Sequence, residues 1–317
     1  MGNGINVVMM GDAFSDRMIA DGSYEEAMRR AIDALFTEEP YKSFREYFNI
    51  YYVDVVSKNE VYFGETTLNT KYGEGTHVGG DDETVIDYAL NAISETAMDD
   101  ALIIVMMNRD YYSGTCYMYY PPSGTYGRGL SIAYFPTSSD VITFNGLISH
   151  EAGGHGFAKL ADEYQYTGTI TNDEIDSYRI SEPYGWWKNV DFTPDPTRVK
   201  WSQFLSDSRY DQEGLGVYEG ACTYAFGAYR PTINSIMNDN TGGFNAPSRY
   251  AIWYRINKLA FGEEWNGTYE DFVAYDAVNR TPAAVSRRKR SNCVERLLPT
   301  LAPPVVIDHD WREELRK

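Results

Sequence analysis

Residues 150–164 read HEAGGHGFAKLADEY, and this stretch decides how the chain is interpreted. The chain has four histidines, and two of them, His150 and His155, lie here. Glu151 follows the first histidine directly. Imidazole nitrogen is a preferred zinc ligand, and a carboxylate beside a bound metal can accept a proton from water. The stretch therefore predicts a zinc site with His150 and His155 as metal ligands and Glu151 as a general base.

The spacing of the two histidines differs by one residue from the H-E-x-x-H zinc helix, because this chain reads H-E-x-x-x-H. Residues four apart on an α-helix are offset by about 40°, whereas residues five apart are offset by about 140°. A shared metal therefore requires an extra residue in the helix, in the form of a π-bulge. Gly153 and Gly154 lie where the bulge is needed, and glycine tolerates unusual backbone geometry. The alternative is a regular helix with two ordinary histidines.

A catalytic zinc takes three protein ligands and leaves one position open, and a carboxylate is expected to be the third ligand because histidine is scarce here. Asp162 lies seven residues after His155, about 10 Å farther along a straight helix. The chain must therefore turn, and Gly156 is predicted to permit the turn. Asp162 could instead support a ligand histidine by a hydrogen bond. Glu163 and the more distant Glu219 remain alternative third ligands.

Composition excludes some functional classes. The formal net charge is −18 and the isoelectric point is near 4.6, which argues against nucleic acid as a partner because phosphate repels an acidic surface. No apolar run approaches the roughly 20 residues of a transmembrane helix. No signal peptide is recognisable at the start, which is compatible with a domain of a longer precursor. The three cysteines form no C-x-x-C pair, and the oligomeric state is not predicted.

The first part of the chain alternates between strand and helix patterns. Apolar or β-branched runs at residues 5–10, 50–56 and 101–107 predict buried strands. Helical patterns lie between these runs, with Ser23 and Asp82 as predicted N-caps. This order predicts an α/β fold that begins with parallel strands.

Later segments are less regular. Residues 130–135 predict another short strand, either an ordinary sheet edge or an edge that holds a substrate as an added strand. Residues 165–200 are predicted as irregular, and 247–259 as a helix with proline in its first turn. After this helix the sequence pattern indicates secondary structure less clearly. The basic run 287–290 is predicted as a solvated surface segment.

The opening stretch resembles the signature of the M64 peptidases, the IgA-peptidase family, whose usual form is H-E-F-G-H-S-F-A-G-L-A-D-E-Y. The matching positions are His150, Glu151, His155, Phe157, Ala158, Leu160, Ala161, Asp162, Glu163 and Tyr164. One residue is inserted before His155, which gives the length of the H-E-x-x-G-H motif of the dipeptidyl-peptidase III family, where zinc is still bound. The resemblance covers roughly residues 5–262, and the motif is its specific part.

A second resemblance concerns Ser235-Ile236-Met237, which is similar to the Met-turn of metzincins. There a methionine forms an apolar floor under the metal, which implies a structural role for Met237. A methionine of an ordinary core is the alternative. The metzincin pattern has glycine three residues after the second histidine, but this chain has Ala158. The metzincin third-ligand geometry therefore does not carry over.

The M64 resemblance implies a zinc endopeptidase that acts on a protein or peptide substrate and is secreted, periplasmic or at the cell surface. We expect a zincin- or metzincin-like α/β fold, with a twisted mixed sheet, an active-site helix and a C-terminal lobe that bears the Met-turn. The predicted catalytic domain is 1–265, with lobes 1–164 and 165–265, and the predicted C-terminal extension is 266–317.

Two other functions remain open at this stage. One is a catalytically inactive relative that binds glycans or peptides, against which the intact Glu151 argues. The other is a zinc-dependent amidase or aminopeptidase that acts on small or cell-wall peptides. A deep pocket closed at one end would favour the second over an endopeptidase.

Overall fold

The computed structural model describes residues 4–61, 65–121, 129–138, 140–240, 242–280 and 300–316. Within these residues it contains ten strands. They are β1 (Ile5–Asp12), β2 (Phe48–Tyr52), β3 (Lys71–Tyr72), β4 (Val78–Gly79), β5 (Leu102–Met107), β6 (Thr115–Tyr119), β7 (Ser131–Pro136), β8 (Tyr218–Ala221), β9 (Tyr224–Arg230) and β10 (Val305–Ile307).

The same residues form ten α-helices, one π-helix and four short 3₁₀ turns. The α-helices are α1 (Asp16–Ala20), α2 (Ser23–Leu35), α3 (Asp82–Leu90), α4 (Glu95–Met98), α5 (Val141–Ile148), α6 (Asn172–Ser181), α7 (Ser202–Leu205), α8 (Ile236–Asp239), α9 (Ala246–Phe261) and α10 (Tyr269–Asn279). The π-helix is Ser149–Phe157, and the 3₁₀ turns are Arg45–Tyr47, Glu182–Tyr184, Ser208–Glu213 and Trp311–Arg316.

The main sheet has six strands in the order β10-β6-β7-β5-β1-β2. Strands β2, β1, β5 and β7 are parallel to one another. β6 is antiparallel to β7, and β10 is parallel to β6. The predicted α/β class with a mixed sheet is therefore confirmed. Two small hairpins, β3-β4 and β8-β9, lie outside this sheet.

Side chains of the buried strands alternate between the two faces of the sheet. In β1, Val7 and Met9 lie in one core cluster, whereas Val8 and Met10 lie in the other. Residues of α2, α5 and the π-helix belong to the first cluster, and residues of α3 and Trp311 to the second. The sheet is therefore covered on both faces, and the π-helix packs directly against it.

Several early predictions are confirmed with shifted ends. The strands predicted at 5–10 and 101–107 are β1 and β5, and the strand predicted at 50–56 is found earlier, as β2. Both N-caps lie one residue before the predicted ones. Gly22, with φ 86°, precedes α2, and the Asp81 carboxylate accepts a hydrogen bond from the Thr84 amide before α3. The Ser23 hydroxyl instead donates to Asp21, so it does not cap its own helix.

The prediction that residues 130–135 form a sheet edge is wrong. The strand exists as β7, but it is fully buried and lies between β6 and β5. The aromatic stretch before it supplies β6, and the C-terminal segment supplies β10 at the edge. β6 and β10 become strands by pairing with residues that are distant in sequence, and the local sequence pattern does not show such pairing.

The prediction of an irregular segment at 165–200 is wrong in part, because α6 lies within it. Thr171 and Glu174 form a capping box at the start of α6. The helix predicted at 247–259 is confirmed as α9, with Pro247 in its first turn. The basic run 287–290 lies outside the described residues. In the described part of the chain, no helix combines the length and apolarity needed to cross a bilayer.

The C-terminal segment is integrated with the rest of the chain. Phe272 of α10 packs with α7 and α9 residues in a third core cluster, and β10 joins the main sheet. The division into a catalytic domain 1–265 and an extension 266–317 remains a prediction.

Candidate metal centre

The first half of the stretch 150–164, from His150 to Phe157, lies on the π-helix, which continues α5 without a break. Its backbone makes bonds between residues five apart, such as the Ala158 amide to the Gly153 carbonyl at 3.0 Å. Residues five apart therefore lie one turn apart, and His150 and His155 face the same side. The predicted bulge is confirmed, and it extends over nine residues rather than a single turn.

Two glycines let the π-helix approach its neighbours closely. A Cβ atom on Gly156 would lie 2.7 Å from Leu102 Cδ1 of β5, and one on Gly154 would overlap the Met237 sulfur. Met237 is fully buried. The glycines thus bring the helix close to the sheet on one side and to Met237 on the other.

Three side chains meet at one point beside this helix. His150 Nε2 lies 3.1 Å from His155 Nε2 and 3.1 Å from Asp162 Oδ1, and His155 Nε2 lies 3.2 Å from the same oxygen. The other ring nitrogens face backbone carbonyls, His150 Nδ1 at 2.9 Å from Ile236 O and His155 Nδ1 at 2.7 Å from Leu160 O. Each Nδ1 therefore carries the proton, which leaves both Nε2 lone pairs directed at the common point.

This arrangement fits a zinc ion. Two imidazole nitrogens and one carboxylate oxygen are zinc donors, and tetrahedral ligands with bonds of 2.0–2.1 Å lie about 3.3 Å apart. The three observed separations are 3.1 to 3.2 Å. When both Nε2 atoms are unprotonated they cannot hydrogen-bond to each other, but both can bind a cation. Within the described residues, His150, His155 and Asp162 are the one group of three such side chains placed to hold a metal.

The electrostatics of the cluster also favour a cation. Burial lowers the pKa of His150, but the hydrogen bond to Asp162 and the nearby Glu151 raise it to about 9 overall. Burial raises the pKa of Asp162, but the two imidazoles hold it below its ordinary value. Two carboxylates therefore face two histidines in a nearly buried site, and a bound cation would take the place of the proton that these carboxylates favour on His150.

Asp162 reaches the cluster by a different turn from the predicted one, so the role assigned to Gly156 is wrong. The π-helix runs past Gly156 to Phe157, and the chain turns at Lys159, whose φ is 55°. The Leu160 amide then donates to the Gly154 carbonyl at 2.9 Å. The buried Lys159 ammonium group donates to the Ser131 hydroxyl, which fixes the turn against β7.

Glu163 points away from the metal-binding atoms. Its carboxylate accepts hydrogen bonds from Asn189 at 2.9 Å, Ser235 at 2.7 Å and Asn245 at 3.0 Å. Glu219, the other alternative ligand, is exposed on β8 and accepts from the Gly227 amide. The structure therefore brings Asp162, and neither glutamate, to the two histidines.

Glu151 lies beside the cluster and is fully buried. Neither of its carboxylate oxygens has a hydrogen-bond partner among the described residues, although the Cys116 amide is near enough to lower its pKa slightly. Burial dominates and raises the pKa of Glu151. A Cβ atom on Gly114 would lie 3.0 Å from Glu151 Cγ, so the glycine leaves room for this side chain. A buried carboxylate that no described side chain hydrogen-bonds, beside two candidate metal-binding histidines, is suited to proton transfer.

Sequence reasoning missed three residues that support the site. The Tyr164 ring stacks on His150, with ring centroids 6.4 Å apart. Asn189 and Asn245 fix Glu163, whose backbone amide donates to the Met237 carbonyl at 2.8 Å. Tyr164 is the last residue of the motif, although no role was predicted for it, and no local pattern singles out the two asparagines.

A comparison with known protein families finds a match for the chain. The family model of IgA peptidase M64 matches residues 2–210. The chain belongs to the IgA peptidase M64 family. The match includes the whole cluster of this M64 peptidase but ends before Met237. A search of curated proteins found no match.

Proposed function

We propose that this M64 peptidase is a zinc-dependent endopeptidase in which His150, His155 and Asp162 hold the metal. The observation that carries the proposal is the triangle of two Nε2 atoms and Asp162 Oδ1, with separations of 3.1 to 3.2 Å. Zinc bound there would polarise the scissile carbonyl and lower the pKa of a water molecule.

The chain itself supplies proton transfer. Glu151 follows His150 on the π-helix, is buried beside both histidines and accepts no hydrogen bond from a side chain of the described residues. We assign it the role of general base, which takes a proton from the attacking water and passes it to the leaving amine. The carbonyls of Ile236 and Leu160 hold the two imidazoles in the orientation that directs each Nε2 atom toward the proposed metal.

Metal analysis and a matched pair of variants test the proposal. We expect about one zinc per chain, as in a mononuclear site. Glu151→Gln should keep the zinc and lower the rate of hydrolysis by about 10² to 10⁴-fold, the usual contribution of a general base. Glu219→Gln makes the same chemical change on an exposed strand and should leave the rate unchanged. Absence of zinc after refolding with the metal, or full activity of Glu151→Gln, would contradict the proposal.

Blocked peptides separate the endopeptidase from the other functions. A peptide blocked at both ends should be cleaved by an endopeptidase and resist an aminopeptidase. Binding of peptides or glycans without hydrolysis by the wild type would instead support the inactive relative. We propose an exported location on the basis of the family.

A further inference from the structure

The metal-binding atoms are closed off from solvent. Of the four proposed site residues, Glu151 and His155 are 0% exposed, His150 is 1% and Asp162 is 3%. A substrate carbonyl must reach the open position of the metal, which is impossible while the site is covered to this degree. Some part of the protein must therefore move before a peptide can bind.

Residues 300–307 pack next to the site. The Leu301 carbonyl accepts hydrogen bonds from the hydroxyls of Tyr164 at 2.7 Å and Tyr166 at 3.1 Å. Tyr164 is the residue that stacks on His150. Leu301 itself is buried in the core cluster that contains the π-helix. A peptide carbonyl is thus held by the tyrosine whose ring stacks on the first candidate metal-binding histidine.

The same segment reaches the side of the site occupied by Glu151. The Thr76 hydroxyl donates to the Thr300 carbonyl at 3.3 Å, and the Gly114 amide donates to the Thr76 carbonyl at 3.3 Å. Gly114 is the residue packed against the Glu151 side chain. Leu301 is therefore linked to His150 through Tyr164, and Thr300 is linked to Glu151 through Thr76 and Gly114.

Farther along, the segment lies extended on the sheet edge. Pro303, Pro304 and Val306 line a cavity of 270 Å³ that Asp162 also lines. Residues Val305–Ile307 then pair with β6 in a parallel ladder. An extended peptide that adds a strand to a sheet edge, with a carbonyl held near the catalytic groups, is a recurrent mode of peptide binding.

We propose that residues 300–307 are an internal competitor that occupies the peptide groove and must be displaced before substrate binds. The inference rests on the proposed peptidase function. Activity then scales with the fraction of molecules in which the segment has left the groove. An added peptide of the same sequence would compete for the vacated groove.

Two full-length variants loosen the segment at different points. Leu301→Gly removes the buried side chain beside the tyrosines. Val305→Pro removes an amide that faces β6, as inferred from the bond of the Tyr120 amide to the Ile307 carbonyl and the alternation of a parallel ladder. Val305→Thr is the matched control, since threonine keeps the amide and suits a strand. We expect both loosened variants to raise kcat/KM for a blocked peptide about tenfold, and the control to match the wild type.

Two measurements do not need hydrolysis. A labelled peptide of residues 300–308 should bind the loosened variants, and a scrambled peptide should not. In Glu151→Gln with no other change, a saturating substrate peptide should speed up hydrogen exchange at the amides of 305–307. Peptide binding without hydrolysis by any variant would keep the inference and overturn the endopeptidase proposal. Hydrolysis by the wild type, with no gain in the variants and unchanged exchange when peptide is bound, would overturn the inference alone.

Discussion

Asp162 and Glu163 are adjacent carboxylates with different surroundings. Asp162 faces two imidazoles, whereas the Glu163 oxygens are surrounded by the amides of Asn189 and Asn245 and the hydroxyl of Ser235. Both are buried, and a buried carboxylate needs compensation. One is matched to a cation and the other to neutral donors, so their substitution should have different consequences.

A matched pair of amide substitutions tests this difference. Asp162→Asn should lower zinc affinity by more than about 100-fold, beyond the 10- to 100-fold cost usual for residues that only support a ligand. Glu163→Gln places an amide donor among existing donors, so it should cost about 1–3 kcal/mol of folding free energy while zinc affinity changes less. Zinc titration and urea unfolding measure the two effects. A larger loss of zinc affinity in Glu163→Gln would assign ligation to Glu163.

The π-helix is the element that makes the unusual histidine spacing workable, and its geometry depends on close packing at Gly154. A Cβ atom there would overlap the sulfur of Met237. Alanine would otherwise favour a helix by about 1 kcal/mol over glycine. A net loss of stability on substitution would therefore report the clash with Met237.

A double-mutant cycle isolates that clash. Gly154→Ala should cost about 1–3 kcal/mol in the wild type, in line with overpacked cores. In the Met237→Ala background the same substitution should be neutral or stabilising, because the overlapping sulfur is absent. Thermal or urea unfolding of the wild type, the two single variants and the double variant gives the coupling free energy between positions 154 and 237. An equal cost of Gly154→Ala in both backgrounds would show that Met237 does not limit the approach of the π-helix.

The sequence predicted those elements whose signal is local. The apolar runs of β1 and β5 identify buried strands, and the five-residue spacing of His150 and His155 requires a π-type turn. Asp162 was predicted from ligand chemistry and the family signature. The turn that brings it back lies at Lys159, however, and a lysine with positive φ gives no local signal for a turn.

Elements formed by distant pairing were not predicted. β6 lies in an aromatic stretch without a clear strand pattern, and it becomes a strand through pairing with β7 and β10. The burial of Glu163 among asparagines likewise depends on residues brought together only by the fold. Such contacts are set by tertiary packing, and local propensity does not encode them.

The C-terminal segment 300–316 packs against both faces of the main sheet. Leu301 lies in the core cluster on the site face, and Trp311 lies in the cluster on the opposite face. The Trp311 indole donates to Asp99 at 2.9 Å, and Arg312 donates to the same oxygen at 2.8 Å. The segment that we propose as the internal competitor is thus anchored on the opposite face of the sheet from the candidate metal centre.

This anchor predicts that the C-terminus contributes to the stability of the whole molecule. Trp311→Ala should lower the free energy of unfolding by about 3–5 kcal/mol, as for other buried tryptophans. Leu315→Ala, four residues later and 38% exposed, should change it by no more than about 0.5 kcal/mol. Urea unfolding measures both. Because the anchor also tethers residues 300–307, Trp311→Ala should raise peptide hydrolysis under conditions where the protein remains folded. A variant as stable as the wild type would show that the C-terminal segment is not part of the cooperative core.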